Sequence, residues 1–362
     1  MANSASTMFI IDAQQNIAFN AQQLGLDYTR WAWRQGEAAP GADVPPPVTS
    51  LRDNLIGRVA IVFGSLQVLP ESAPGLAPWQ RYSYRTAADA RHLALWQMDC
   101  YRRLADDHDR IRLIQTRDDL AAVVDSWRDE NALDKRLQGI VVKMKGAEPI
   151  SEPLQLEEWL EFGIRIVAPA WRQTRYAGSA ESDGGLTRLG YELLEVMAGF
   201  EVLLDISSLS DRGAADALER YEGTIIASHS NPRYFYPSPR CLPDELIRRL
   251  AERDGVMGVM VYNQFLRKDW HPRDRNRQVS IAHWVDAVDY ICQLTGSVAH
   301  VGLGSNIDGG HPHSSLPAEI DTSSDLWLLR RSLLDRGFAE ADAAAILGGN
   351  MLRKLEESLP EG

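Results

Sequence analysis

Eight short apolar runs, each followed by polar residues and mostly by an amphipathic stretch, constrain this chain more than any other feature. The runs are residues 8–11, 59–63, 140–144, 164–169, 200–206, 224–227, 256–261 and 298–303. They are rich in Val, Ile and Leu and seldom alternate with polar residues, as expected of strands buried on both faces. Between and after them, residues 87–104, 186–197, 214–221, 243–253, 281–294 and 325–336 have helical amphipathic spacing. A strand and then a helix, repeated eight times, predicts a single (β/α)8 (TIM) barrel. Such a barrel takes roughly 250 residues, or about 400 with insertions. The 362 residues therefore fit one barrel over 1–362 better than two domains. The longest irregular segment, 35–50, holds Pro40 and Pro45-Pro46-Pro47 and is expected to be a long loop over the barrel mouth. A last helix is expected near 338–357.

Composition narrows the function classes. Lys and Arg number 38 against 50 Asp and Glu, a formal net charge of −12. That balance argues against a protein built to coat nucleic acid or an anionic membrane. The three cysteines, Cys100, Cys241 and Cys292, are far apart and form neither a zinc knuckle nor a disulfide framework. The first residues lack a basic region followed by an apolar one, and no run of about 18 apolar residues occurs. A cytoplasmic protein is the resulting expectation. Phosphate-binding glycine loops and a Gly-x-Ser-x-Gly elbow are missing, so nucleotide cofactors and serine hydrolysis are not indicated.

Active sites of such barrels lie at the C-terminal ends of the strands. Here those ends read Asp12-Ala13-Gln14-Gln15-Asn16, Lys145-Gly146-Ala147-Glu148, Ala168-Pro169-Ala170-Trp171, Asp205-Ile206-Ser207-Ser208, Ser228-His229-Ser230-Asn231, Val261-Tyr262-Asn263 and Gly304-Ser305-Asn306-Ile307-Asp308-Gly309. Together with Arg240-Cys241-Leu242-Pro243-Asp244 and the closing Arg336-Gly337-Phe338 to Gly348-Gly349-Asn350-Met351-Leu352-Arg353, these motifs resemble the renal, or membrane, dipeptidases. That family consists of binuclear zinc peptidases with a (β/α)8 fold. Each motif is weak alone; their order and spacing over nearly the whole chain make the resemblance specific.

The departures from the family pattern matter as much as the match. The resemblance places zinc-binding His and Asp of Asp-Gly-His-Asn-Asp at Gln14 and Asn16. It places the metal-bridging Glu at Lys145, and the His of Asp-Leu-Ser-His at Ser208. The acid that orients the attacking water falls at Asn306, and only His229 is retained, so five of these six positions are changed. Zinc needs deprotonated donors and anionic charge. Neutral amides are poor ligands, and Lys145 puts a cation where a carboxylate belongs. One unit-charge pair about 4 Å apart is worth roughly 4 kcal/mol at an effective dielectric of about 20, and a dication facing an ammonium feels about twice that as repulsion. Carboxylation would repair Lys145, but not Gln14, Asn16 or Ser208. The expectation is that the metal centre does not form and that no cofactor takes its place.

What remains is a cationic pocket suited to a small carboxylate-bearing or amino-acid-like ligand. Lys145 and His229 are the candidate catalytic residues: a desolvated lysine among cations acts as a base or a Schiff-base nucleophile, and histidine shuttles protons. The plainer alternative is that Lys145 pairs with Asp308, Glu148 or Asp12. Arg240 can fork onto a carboxylate. By the resemblance, Arg240 and Tyr262 hold substrate; Trp171, Asn306 and Asp308 complete the candidate binding set. Asp12 and Asp205 read as supports. His311 and His313 read as solvated residues of a Gly/Pro turn. The basic and aromatic run 267–277 reads as a lid or subunit contact rather than a nucleic-acid patch. Three functions stay open: a metal-free relative that binds or transforms such a ligand, which is preferred; an inactive pseudo-dipeptidase acting as scaffold or partner subunit; and an active metallodipeptidase with an altered site. The resemblance also implies a possible homodimer.

Overall fold

A computed structural model describes residues 8–36, 45, 47–271, 279–311 and 313–362. Its strands are β1 (Ile10–Gln15), β2 (Val59–Gln67), β3 (Ile111–Leu113), β4 (Gln138–Lys145), β5 (Ile164–Ala168), β6 (Leu203–Asp205), β7 (Ile225–Ser230), β8 (Val256–Val259) and β9 (Val301–Leu303). All pairings are parallel, in the order β2-β1-β9-β8-β7-β6-β5-β4, and β2 pairs with β4 from Ile61↔Gly139 to Gln67↔Lys145. That last pairing closes an eight-stranded (β/α)8 barrel. β3 is a ninth strand outside the ring, bonded to β4 at Gln138–Ile140.

The barrel interior follows the two-residue period of its strands. Ile11 and Ala13 of β1, Ile61 and Phe63 of β2, and Val141, Ile166, Leu203, Ile226 and Val256 form one buried cluster. Met351 and Leu355 of the last helix, Asn350–Ser358, join it. A larger cluster fills the space between strands and outer helices. On β4 the same parity that points Val141 inward continues to Lys143 and Lys145, so the interior changes from apolar to charged toward the strand's C-terminal end. Helix starts are written locally: Thr86 and Asp89 close a capping box on Ala87–Asp107, and Thr116 and Asp119 on Arg117–Ser126.

The structure differs from the sequence expectation in bounds more than in order. β3 has a single buried residue, Ile111, and leaves too weak a pattern to read. The run 200–206 yields strand only at Leu203–Asp205, because Glu201 takes a left-handed turn (φ 54°) and Phe200 is exposed. Val298–His300 is a 3-10 turn before β9. Of the expected loop 35–50, residues 35–36 end the helix Ala32–Gly36, Ser50 caps the helix Leu51–Ile56, and 37–44 and 46 lie outside the described residues. The expected C-terminal helix runs through Glu340–Ala344, a π turn at Ala345–Gly349, and Asn350–Ser358. Among the described residues no helix is long and apolar enough to cross a membrane.

Candidate functional site

One fully buried charged group in the barrel was missed by sequence reasoning. Lys143, fully buried, extends across the interior from β4. Its ammonium meets three acceptors: Ser228 Oγ at 2.6 Å, Asp205 Oδ2 at 3.0 Å and the Ala13 carbonyl at 3.3 Å. Three N–H donors and three acceptors describe a protonated lysine, ion-paired with a carboxylate that is equally buried. Burial pulls Lys143 below its usual range, while Asp205 pulls it back up. Asp205 ends low despite its burial, because Lys143 and the hydroxyls of Ser207 and Ser228 stabilise its charge. Parity on β4 was the available signal: Lys143 shares a face with Val141 and Lys145.

This network fixes His229. Ser228 Oγ has one proton and two lone pairs. Asp205 can only accept, so it takes the proton, at 2.5 Å. Lys143 can only donate, so it fills one lone pair. The remaining lone pair accepts from His229 Nδ1–H at 2.8 Å. His229 therefore keeps its second nitrogen, Nε2, as a bare lone pair, and Nε2 is buried with no hydrogen-bond partner among the described residues. Burial, then the cations Lys145, Lys143 and Arg240, hold the imidazole well below its usual range, so the ring is neutral.

Lys145, one turn of the pleat beyond Lys143, is also buried but differently placed. Among the described residues its Nζ has no hydrogen-bond partner and no carboxylate at ion-pairing distance. The expected alternative pairings are not formed: Glu148 is bound by Arg175 at 2.9 Å, Asp12 by Ser305 and Gln15, and Asp308 by Asn16. Lys145 Nζ lies 5.6 Å from the centre of the Trp171 ring, within cation–π range. Arg172 lies against the same ring at 5.2 Å. Burial, then Lys143 and Arg240, drive Lys145 well below its usual range. Gly146 (φ 93°) turns the chain sharply after it, as glycine does readily.

The amides expected at metal-ligand positions bond to each other. Gln14 Nε2 donates to Asn16 Oδ1 at 2.9 Å, and Asn16 Nδ2 donates to Asn306 Oδ1 at 3.3 Å and Asp308 Oδ1 at 3.2 Å. Ser65 Oγ also donates to Asn16 Oδ1, at 2.8 Å. Asn306 sits in the left-handed region (φ 50°), which asparagine tolerates. Gln14 Oε1 is left buried without a partner among the described residues. Burial raises Asp308 to about 7, against the backbone N–H of Asn16 and nearby Lys145, which favour its charge. Ser208 accepts from the Arg240 guanidinium at 2.9 Å. Among the described residues no three His, Cys, Asp or Glu side chains are arranged to hold a metal ion.

One loop histidine departs from the expectation. His311 is not a solvated turn residue: it stacks on Tyr262 (4.0 Å between centres, 17°), and burial plus Lys145 and Arg240 lower it to about 4. Its neighbour His313 lies 3.0 Å from Asp321. Tyr262 donates its hydroxyl to Gln264 at 3.2 Å. Of the basic run 267–277, residues 272–277 lie outside the described residues. Lys145, His229, Arg240, Trp171, Tyr262, Asn306 and Asp308 all lie at or just beyond the C-terminal ends of the strands.

A family model described as membrane dipeptidase (peptidase family M19) matches residues 49–359. The chain belongs to this family. Its relatives are distant. An uncharacterized Klebsiella pneumoniae protein is 27% identical over 237 residues, covering 63% of this chain and 84% of its own. A dipeptidase of Aspergillus oryzae is 30% identical over 205 residues, covering 55% of this chain and 46% of its own. The match thus spans about half of that fungal relative. Among solved structures, a Rhodobacter sphaeroides metallo peptidase liganded with a phosphinate mimic of the dipeptide L-Ala-D-Ala gives a TM-score of 0.79 at 22% identity, over 97% of this chain and 99% of that one. The probable dipeptidase PvdM of Pseudomonas aeruginosa gives 0.77 at 19%, over 97% and 96%. At these identities the structural likeness speaks to the fold.

Proposed function

We propose that this member of the dipeptidase family binds a small carboxylate-bearing, amino-acid-like ligand without a zinc pair. The observation that carries the reading is Lys145: a buried side chain whose Nζ has no hydrogen-bond or ion-pair partner among the described residues, at a strand end where the family pattern has a bridging carboxylate. The donor set does not fit two zinc ions. Gln14 spends its amide N–H on Asn16, Ser208 is taken by Arg240, and Lys145 brings no anionic charge to the bridging position. The unsatisfied atoms instead match an organic ligand. Lys145 and Arg240 offer donors for a carboxylate. Gln14 Oε1 and His229 Nε2 are acceptors awaiting N–H or O–H donors, which an amino acid carries.

The test combines metal analysis with calorimetry on the purified chain. The reading expects less than stoichiometric zinc and binding of a free amino acid or dipeptide that persists in chelator. Arg240→Ala and Lys145→Glu should each weaken that binding at least tenfold. Two equivalents of zinc, with dipeptide hydrolysis abolished by chelator, would establish an active metallodipeptidase instead. No small-molecule binding together with a stable protein complex would favour a scaffold.

A further inference from the structure

The carboxylate-pocket reading leaves one side chain without a task. A lysine that only attracts an anion does not need a second lysine two residues away on the same strand face to destabilise its charge. We propose that Lys145 is an amine nucleophile, and that the ligand class it takes is a 2-oxo acid, whose carbonyl carbon condenses with Nζ to form an imine. The proposal rests on the carboxylate-pocket reading and names the substrate class for it.

Three features of the geometry support this role. First, Lys145 Nζ is free: among the described residues nothing accepts from it or pairs with it, whereas Lys143 on the same face is fully engaged by Asp205, Ser228 and Ala13. The barrel thus contains one lysine neutralised by a carboxylate and one that has only the Trp171 ring beside it. An amine with no acceptor and a fixed cation on the same strand face is the arrangement that makes lysine nucleophilic near neutral pH. Second, Arg240, bonded to Ser208 just past the end of β6, brings a guanidinium to the same end of the barrel and can fork onto a carboxylate. A 2-oxo acid places its carbonyl one bond from that carboxylate. Third, His229 supplies a proton acceptor. Its Nδ1–H is committed to Ser228, which leaves Nε2 as a bare, buried, unpartnered lone pair.

The step balances without an oxidant or reductant. The Nζ lone pair adds to the carbonyl carbon, and the C=O π bond breaks onto oxygen. Nζ then loses its two hydrogens in turn, and His229 Nε2 carries each to that oxygen. The first transfer gives a carbinolamine hydroxyl. The second lets the hydroxyl leave as water as the C=N bond forms. Amine and carbonyl become imine and water, and His229 ends as it began.

Pyruvate is the probe. The full-length protein is treated with pyruvate and sodium borohydride, its intact mass measured, and the modified residue mapped. The chain has only five lysines, Lys135, Lys143, Lys145, Lys268 and Lys354, so the assignment is unambiguous. The expected result is one reduced adduct per chain, on Lys145, absent from Lys145→Arg and diminished by excess lactate. Lactate has the carboxylate but no carbonyl, and its binding to the unmodified protein is measured separately by calorimetry. Lactate binding with no adduct, or with adducts on other lysines, overturns the imine and leaves the carboxylate pocket standing. Neither lactate binding nor an adduct overturns both. Because the site is mapped on the unmodified sequence, the outcome does not depend on Lys145→Arg folding.

Discussion

The Lys143–Asp205 pair gives the sharpest test of the interior electrostatics. Lys143→Met keeps the length and apolar stem of the side chain and removes only the ammonium. Asp205 would then be a buried carboxylate with no cation, since both side chains are fully inaccessible. Removing one partner of a buried pair costs about 3–5 kcal/mol. The lower end applies here, because Asp205 keeps bonds from the Ser207 and Ser228 backbone N–H groups and from both hydroxyls. A loss of about 3 kcal/mol at pH 7 is expected in urea unfolding. The pH dependence has a definite sign. In the unmodified protein the Asp205 carboxyl is held below its ordinary value. Its stabilisation is therefore present above the unfolded value and lost only as pH falls through the lower folded one. Without Lys143 burial dominates and the carboxyl rises above its unfolded value. Folded Asp205 then binds a proton that the unfolded chain does not, and the deficit shrinks between pH 7 and pH 5. Asp205→Asn added to Lys143→Met removes the stranded charge and should recover at least about half of the loss. A loss under about 1 kcal/mol, or additive effects of the two changes, would refute the assignment of a charged, coupled pair.

Three further outcomes are expected. Ser228→Ala removes the acceptor that holds His229 Nδ1–H, so nitrogen NMR should show the Nδ1–H tautomer in the unmodified protein and a mixture in the variant. Asp308, raised to about 7, should couple to anions: if they bind only when it is protonated, calorimetric affinity for a small carboxylate is about tenfold higher at pH 6 than at pH 8. The same raised value makes Asp308 stabilise the fold most below the ordinary aspartate range, with that contribution lost as pH rises through about 7. Gly304→Ala drives a methyl group into the Ser228 carbonyl oxygen, a backbone atom that cannot yield locally. Overpacking of this kind costs about 1–3 kcal/mol, read as a lower urea midpoint, and should disturb His229 resonances as well.

The order of the barrel was legible because it depends on burial, and burial writes itself into apolar runs. All eight ring strands answer to a run, and Ala87–Asp107 and Ile281–Thr295 match their amphipathic stretches closely. What escaped was set by contacts that the local sequence does not encode. β3 survives with three residues because β4 is already in place beside its Ile111. β6 is short because the chain turns at Glu201, where no glycine marks the left-handed residue. His311 lay in a Gly/Pro turn, which predicts exposure. It is half-buried because it stacks on the Tyr262 ring, which follows β8.

The two lysines show where such reading ends in the site itself. Lys143 and Lys145 share a strand, a face and a residue type, and parity alone sends both inward. Their chemistry diverges because depth along the barrel axis decides which strands they meet. At the level of Lys143, β6 presents Asp205 and β7 presents Ser228, so the ammonium is neutralised and its three donors are satisfied. Two residues further along β4, the family pattern would place two carboxylates and a histidine, and this chain has Asn16, Asn306 and Ser208. Their side chains bond to one another, to Asp308 or to Arg240, leaving nothing for Lys145. The substitutions are therefore not independent. A lysine at the bridging position beside intact ligands would form an ion pair and be inert. The same lysine among amides, with a stabilised cation beneath it, is left without an acceptor among the described residues. Restoring one carboxylate, by Asn306→Asp, should pull Lys145 back toward its ordinary range and suppress borohydride trapping by pyruvate. Undiminished trapping in that variant would show that the environment of Lys145 is not what sets its reactivity.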